Sequence, residues 1–240
     1  MPGGQQFVDF LILAVAMEIN FATTFPTLQV ILNSSKDGDA IELAKGLRSL
    51  SQWLKGFKEI SKDFHKIMEP DVFFRVIIAY LRGFNETSGL PDGMLYEGVT
   101  KQPKRLVINS AASQAAVFQI IDTLLRTEYP PDKEEFFKTL RTTWSSKHRA
   151  FLEQIQTWPG NVREMAEKGS NEDLTQAYNE LVEAVKEFRT YHVQLVTKFM
   201  VIPNKRLRNE FNVQEPDQLV NLMPLLKAIR DDSAKGKIDV

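Results

Sequence analysis

Arg189-Thr190-Tyr191-His192-Val193-Gln194-Leu195-Val196-Thr197-Lys198 is the stretch on which the reading of this chain turns. Extended on both sides, it places Leu181, Val185, Phe188, His192, Leu195 and Phe199 at steps of four, three, four, three and four. That spacing lines side chains along one face of a helix. His192 therefore points where its apolar neighbours point, into a core or a pocket. A neutral imidazole in such a place needs a partner for each ring nitrogen. A core histidine bonded to its neighbours and a metal ligand both meet that need, so spacing alone leaves the two readings open.

The helical period recurs along nearly the whole chain, with no run of strict two-residue alternation, so the expected fold class is all-α. A first helix is expected from about Gln5 to Thr23, interrupted by Pro26. A second starts near Asp39 and carries Leu43, Leu47, Leu50, Leu54, Phe57, Ile60 and Phe64 on its apolar face. Pro70 suits the first turn of a third, which carries Phe73, Phe74, Ile77, Ile78 and Leu81. From Gly83 to Asn109 glycines and prolines interrupt the pattern, and a connection of that length in a compact domain is usually functional.

Further helices are expected from about Ser110 to Arg126, after Pro130-Pro131-Asp132, and after a cap at Ser145 or Ser146, this last one closed by Pro159-Gly160-Asn161. The small residues Ala111, Ala112, Ala115 and Ala116 permit close packing in the first of these. Asn171 opens the long helix of His192, which is expected to stop before Pro203. Lys205, Arg206 and Arg208 then read as a solvated connection, and Leu219 to Ile229 as a final amphipathic helix kinked at Pro224. Residues 1–231 form one helical domain in this reading, and residues 232–240 a disordered tail.

Composition narrows the function. The 240 residues suffice for one sizeable core or at most two, and 43% hydrophobic with 25% charged residues is ordinary for a soluble globular protein. A net charge of -1 gives no global reason to expect a nucleic-acid or membrane partner. The chain has no cysteine, which excludes disulfides, iron–sulfur clusters, thiolate ligation and cysteine nucleophiles, and suits a cytoplasmic protein. The apolar run Phe10 to Met17 lies between Asp9 and Glu18, follows no basic segment and is too short to span a bilayer.

Familiar catalytic signatures are absent: there is no GxSxG, P-loop, GxGxxG or HExxH. The residues three before the histidines are Lys62, Ser145 and Arg189, so the Glu-x-x-His pairing of di-iron bundles is missing too. No carboxylate pair stands out as acid and base. His148, between Lys147 and Arg149, reads as exposed, and His65 as half-buried at a helix C-terminus, where a cation is favoured.

Several segments together resemble the indoleamine 2,3-dioxygenase family. Arg189 to Lys198 with Ile202-Pro203 resembles the family's proximal-histidine helix. Phe73-Phe74 followed by Tyr80-Leu81-Arg82-Gly83 resembles its distal helix, and Leu90-Pro91-Asp92-Gly93-Met94-Leu95-Tyr96-Glu97-Gly98 the loop after it. Ser110-Ala111-Ala112-Ser113-Gln114 with Val117-Phe118-Gln119 resembles the segment beside the cofactor, and His148-Arg149-Ala150-Phe151-Leu152 and Val162-Arg163-Glu164 also fit. The matches run in order over nearly the whole chain.

The resemblance implies an all-helical, bundle-like domain that holds haem b and adds dioxygen across the indole C2–C3 bond of L-tryptophan or a related indoleamine, giving N-formylkynurenine. It implies His192 as the proximal iron ligand and Arg189 as the partner of a haem propionate, with Asp122 orienting the guanidinium and Ala111 and Ala112 at the haem edge. Phe10, Ala14, Phe73, Phe74 and Ile78 would form the substrate pocket. No protein acid or base is implied, and the family habit is a cytoplasmic monomer.

Three departures bear on activity. Ile78 stands where the family carries the arginine that grips the substrate carboxylate, and Arg75 and Arg82 are the nearest replacements. Val213-Gln214-Glu215-Pro216-Asp217-Gln218 replaces the family's glycine-rich lid. The chain also begins at the distal helix, without the family's small N-terminal domain. A family member that binds haem and dioxygen with little tryptophan oxidation is therefore the second expectation, and a haem-free helical interaction module the third.

Overall fold

The computed structural model describes residues 4–81, 90–99, 104–105, 115–169, 171–212, 219 and 221–239. Thirteen α-helical segments and two π turns are found among them, and the apolar stripe that carries His192 runs along the spine of the molecule. It lies on α11 (Glu172–Val196), which packs most extensively on α3 (Ala40–Ser61) and on α13 (Leu222–Ala234). Both long helices begin on side-chain caps. Asp39 accepts from the amides of Ile41 and Glu42 at 3.1 and 3.0 Å, and Asn171 accepts from that of Leu174 at 3.1 Å. Each cap satisfies donors that the first helical turn leaves over, which is worth about 1 kcal/mol.

From α3, Leu43, Leu47, Leu50, Leu54 and Phe57 are buried, and from α11 Leu174, Tyr178, Leu181, Val185 and Phe188 meet them. Full burial of each such side chain contributes roughly 1.5–3 kcal/mol before chain entropy is counted. α2 (Phe25–Asp37), α7 (Ala116–Leu124), α9 (Ser146–Gln156) and α10 (Val162–Lys168) close this main core. α2 ends at Gly38, whose φ of 77° is the left-handed cap that glycine adopts without steric cost.

A second, smaller cluster holds Met68, Phe73, Ile77, Ile78, Phe199 and Met200. It is built where α1 (Gly4–Ala22), α4 (Phe64–Ile67), α5 (Pro70–Val72) and α6 (Ile78–Leu81) approach the end of α11. Two π turns, Phe73–Ile77 and Thr197–Val201, pack against each other there. A π turn inserts one extra residue and rephases the faces of the helix that follows, and such turns recur at functional sites.

Several sequence expectations are corrected. Pro26 lies in the first turn of α2, so it opens a helix as well as ending one. The chain does not stop before Pro203, because the π turn leads straight into α12 (Ile202–Glu210) with the proline in its first turn, where no N–H is needed. Lys205, Arg206 and Arg208 thus lie on a helix, and Arg206 pairs with Asp71. Asn161 caps α10, a helix the reading missed. Pro224 falls in the first turn of α13 and marks its start, with no kink. α8 spans Pro131–Arg141, as expected after Pro130. A two-residue antiparallel ladder, Met94–Leu95 with Lys104–Arg105, was not anticipated.

The expected disordered tail is also corrected. α13 runs to Ala234, Asp232 and Ser233 are buried, and the Ile238 amide donates to the Asn179 side chain at 2.9 Å. Polar anchoring, which hydrophobic periodicity does not register, holds this segment down. The start of the α7 region, residues 110–114, and the stretch 213–218 lie outside the described residues.

α1 presents a largely open apolar face, with Ile12, Val15 and Ile19 exposed by 60%, 58% and 64%. Taken with α2, the stretch Gly4–Asp37 is long and apolar enough to cross a membrane by length and composition, and little of it is buried. The apolar helix is longer than the run Phe10 to Met17, because it continues on both sides of it.

Candidate functional site

His192 sits at the seam between the two clusters. One turn before it Phe188 belongs to the main core, and three residues after it Leu195 packs on the smaller one. The ring is half-buried, and neither nitrogen makes a hydrogen bond to a described residue. Desolvation by the surrounding protein, helped by the nearby charge of Arg189, pushes its pKa down to about 4. At neutral pH it is therefore a neutral imidazole with an unshared lone pair, which is the form that ligates a metal.

One turn earlier on α11, Arg189 is buried and heavily engaged. Its Nη2 donates to Asp122 Oδ2 at 2.6 Å, and its Nη1 donates to the Tyr129 hydroxyl at 2.9 Å and to Ser233 Oγ. Tyr129 in turn donates to Asp122 Oδ2 at 3.0 Å, and Ser233 to the carbonyl of Ile229 at 2.6 Å. The guanidinium carbon also lies 5.7 Å from the Phe118 ring centroid, within cation–π range. Burial alone would lower the arginine's pKa, but Asp122 and then Tyr129 outweigh it and the net direction is upward. Of the five guanidinium donors, Nε–H and one Nη2–H keep no described partner.

α7 positions Asp122. Its neighbours Ile120, Ile121 and Leu124 fill the main core, and the carboxylate is carried with them to the α11 face. Asp122 Oδ1 is buried without a hydrogen bond to a described residue, as is Gln119 Nε2 one turn before it. Such orphaned atoms are rare in packed interiors and mark a place where a further polar group belongs.

The smaller cluster supplies the aromatic side. Phe10 from α1 lies 6.1 Å from Phe73 and 6.2 Å from Phe64, and Phe73 lies 6.1 Å from Phe199 across the two π turns. Phe74 is half-buried against the same cluster, and Ile78 is buried inside it. Ala14 behaves differently: it is exposed on α1, one turn after Phe10. Arg75 is exposed as well, so it does not stand in for the arginine missing at Ile78. Ala111, Ala112 and Arg82 lie outside the described residues.

The structure thus brings Arg189 and Asp122 together, sets His192 one turn away, and gathers Phe10, Phe73, Phe74 and Ile78 into one cluster. Tyr129 and Ser233 are additions that sequence reasoning missed. Asp232 and Ser233 follow Ile229 at i+3 and i+4 on the buried face of α13, but as polar residues they add nothing to an apolar pattern. His65 departs from expectation: it is exposed, packs on Phe199 at 5.4 Å, and its pKa is lowered by partial desolvation and by Lys198, whose Nζ is 3.1 Å from Nδ1. His148 is exposed, as expected.

Known proteins resemble this chain along most of its length. The family model described as indoleamine 2,3-dioxygenase matches residues 1–236. Mouse indoleamine 2,3-dioxygenase 1 is 31% identical over 98% of this chain and 60% of its own length. A protein named myoglobin from the abalone Haliotis diversicolor is 28% identical over 98% of this chain and 62% of its own length. The indoleamine 2,3-dioxygenase of Saccharomyces cerevisiae is 27% identical over 84% of this chain and 46% of its own length. The chain therefore spans about three-fifths of the length of its first relatives.

Proposed function

The chain belongs to the indoleamine 2,3-dioxygenase family, and on that premise we propose that it binds haem b and, with dioxygen, opens the indole ring of L-tryptophan or a related indoleamine. The observation that carries the proposal is the pair His192 and Arg189, one helical turn apart. Among the described residues, one is a neutral imidazole without a hydrogen-bond partner, the other a braced cation with two donors to spare. This donor set suits a haem: a neutral nitrogen for the iron and a fixed fork of N–H groups for a propionate.

When bound, the haem supplies the iron at which dioxygen reacts with the indole C2–C3 bond. The chain's own residues do the rest. His192 would hold the iron and Arg189 would anchor one propionate. Asp122 neutralises the arginine and fixes its plane. Phe10, Phe73 and Phe74 offer an apolar wall that excludes water and orients a flat indole. No side chain is required to carry a proton.

Reconstitution with hemin, reduction, and spectra with and without L-tryptophan and oxygen test the proposal. A Soret band that shifts on reduction, followed by formylkynurenine absorbance, is the expected result. Absence of haem binding overturns it.

A second reading is favoured by Ile78, which is 3% exposed within an apolar cluster and offers nothing to a substrate carboxylate. In that reading the chain holds haem and dioxygen without efficient tryptophan oxidation, and the similarity to an abalone protein named myoglobin is in keeping with it. A normal haem spectrum with no formylkynurenine would select this reading over the first.

A further inference from the structure

We propose that Tyr129 and Ser233 are positioning residues that set the propionate-binding arginine. The inference rests on the haem reading above and deepens it at the same site. Arg189 reaches inward from α11, and the carboxylate of Asp122 meets only its Nη2. One ion pair fixes a distance but leaves the planar fork free to swing about it. Tyr129 and Ser233 both bind Nη1, from two further directions.

Each hydroxyl is itself fixed. Tyr129 donates to Asp122 Oδ2 at 3.0 Å, its ring lies 5.0 Å from that of Phe137 on α8, and burial with the Asp122 charge raises its pKa, so it stays a neutral hydroxyl. Ser233 donates to the Ile229 carbonyl at 2.6 Å, which turns its lone pairs toward the arginine. Next to it, Asp232 pairs with Lys133 of α8 in a buried contact and with Lys235 at 2.7 Å, which pins this end of α13. The guanidinium is thus held by residues from α7, the α7–α8 connection and α13. The donors left over among the described residues, Nε–H and one Nη2–H, keep a constant direction, and a preset fork spends less entropy on gripping a carboxylate.

The test compares Tyr129→Phe, Ser233→Ala and Ser233→Thr with the unaltered chain. Each apoprotein is titrated with hemin and with hemin dimethyl ester, which presents no carboxylate, while the Soret band is followed. Unfolding midpoints of the same apoproteins are recorded alongside. Tyr129→Phe and Ser233→Ala are expected to weaken hemin binding about five- to tenfold each, to leave the ester's affinity within about twofold, and Ser233→Thr is expected to restore hemin binding.

Equal weakening toward both ligands would mean that the two hydroxyls only support the fold, and would overturn the proposal. So would unchanged hemin affinity. If the unaltered chain itself forms no Soret band, the haem reading fails, and this proposal fails with it. If it forms one and the variants match it, only the positioning role fails.

Discussion

Asp122 and Arg189 stand 67 residues apart in sequence and 2.6 Å apart in space, a buried ion pair between α7 and α11. Removing one partner leaves the other charge buried and uncompensated, which typically costs about 3–5 kcal/mol. Asp122→Ala is therefore expected to destabilise the apoprotein by that order, because Tyr129 and Ser233 offer hydroxyls but no charge. Urea unfolding measures it. A loss below about 1 kcal/mol would mean that Arg189 finds water or another acceptor, and that the pair does not organise the site.

His192 makes a different prediction, because its ring has no hydrogen bond to lose among the described residues. His192→Gly should cost the apoprotein only about 1 kcal/mol, the penalty of a glycine inside a helix, while abolishing the imidazole-ligand signature of the haem complex. Added imidazole should restore that signature by filling the space. Haem bound by His192→Gly with an unaltered spectrum, before imidazole is added, would assign the ligand elsewhere.

The two residues were not equally legible beforehand. His192 announced itself because a polar side chain interrupted an apolar stripe at helical spacing, whereas Arg189 was singled out only by the family resemblance. The long helices α3 and α11, with their caps at Asp39 and Asn171, were legible for the same reason: period and cap chemistry are local. The π turns at Phe73–Ile77 and Thr197–Val201 were not, because one extra residue in a turn depends on packing between distant segments. That is also why the helix passes Pro203. Ser233 stayed hidden because its burial comes from a partner 44 positions away, with no apolar pattern of its own. The arginine expected to meet substrate fell on a buried isoleucine, and only the resemblance made that position worth asking about.

Ile78→Arg tests that position directly. Ile78 packs with Phe73, Ile77 and Phe199, so a cation there is desolvated unless a carboxylate meets it. The variant should lose about 2 kcal/mol or more of stability without ligand. L-tryptophan should return part of that loss, through binding that is tighter than in the unaltered chain. Thermal unfolding across a tryptophan titration reads both effects. Loss of stability with no added response to tryptophan would show that Ile78 does not face the substrate.

Gly160 sits between α9 and α10 against the end of α2. A Cβ there would lie 2.5 Å from both the Lys36 amide nitrogen and the Ser35 carbonyl carbon, which are backbone atoms that cannot rotate away. Gly160→Ala should therefore push α2 from α10 and cost about 1–3 kcal/mol, while the Soret spectrum stays unchanged because the site lies on α7 and α11. A variant as stable as its parent would show that this crossing yields more readily than its geometry suggests.

Tyr178 sets the alkaline limit. It is fully buried on α11 and donates to the Leu125 carbonyl at 2.8 Å. Desolvation pushes its pKa up to about 12 from an ordinary value of 10.0, with Arg163 opposing and Glu167 adding. The folded state then holds the proton that the unfolded state releases. The stabilisation is complete below pH 10 and is lost as pH rises through about 12. That separation corresponds to roughly 3 kcal/mol at about 1.4 kcal/mol per pH unit. Tyr191, also raised to about 12, contributes in the same direction, so only a difference between variants isolates Tyr178. Tyr178→Phe should lose about 1 kcal/mol at pH 8, where the hydrogen bond is missing. Between pH 10 and 12 its stability should fall less steeply than the parent's, so that the two curves converge. Parallel curves over that interval would show that ionisation of Tyr178 is not linked to unfolding.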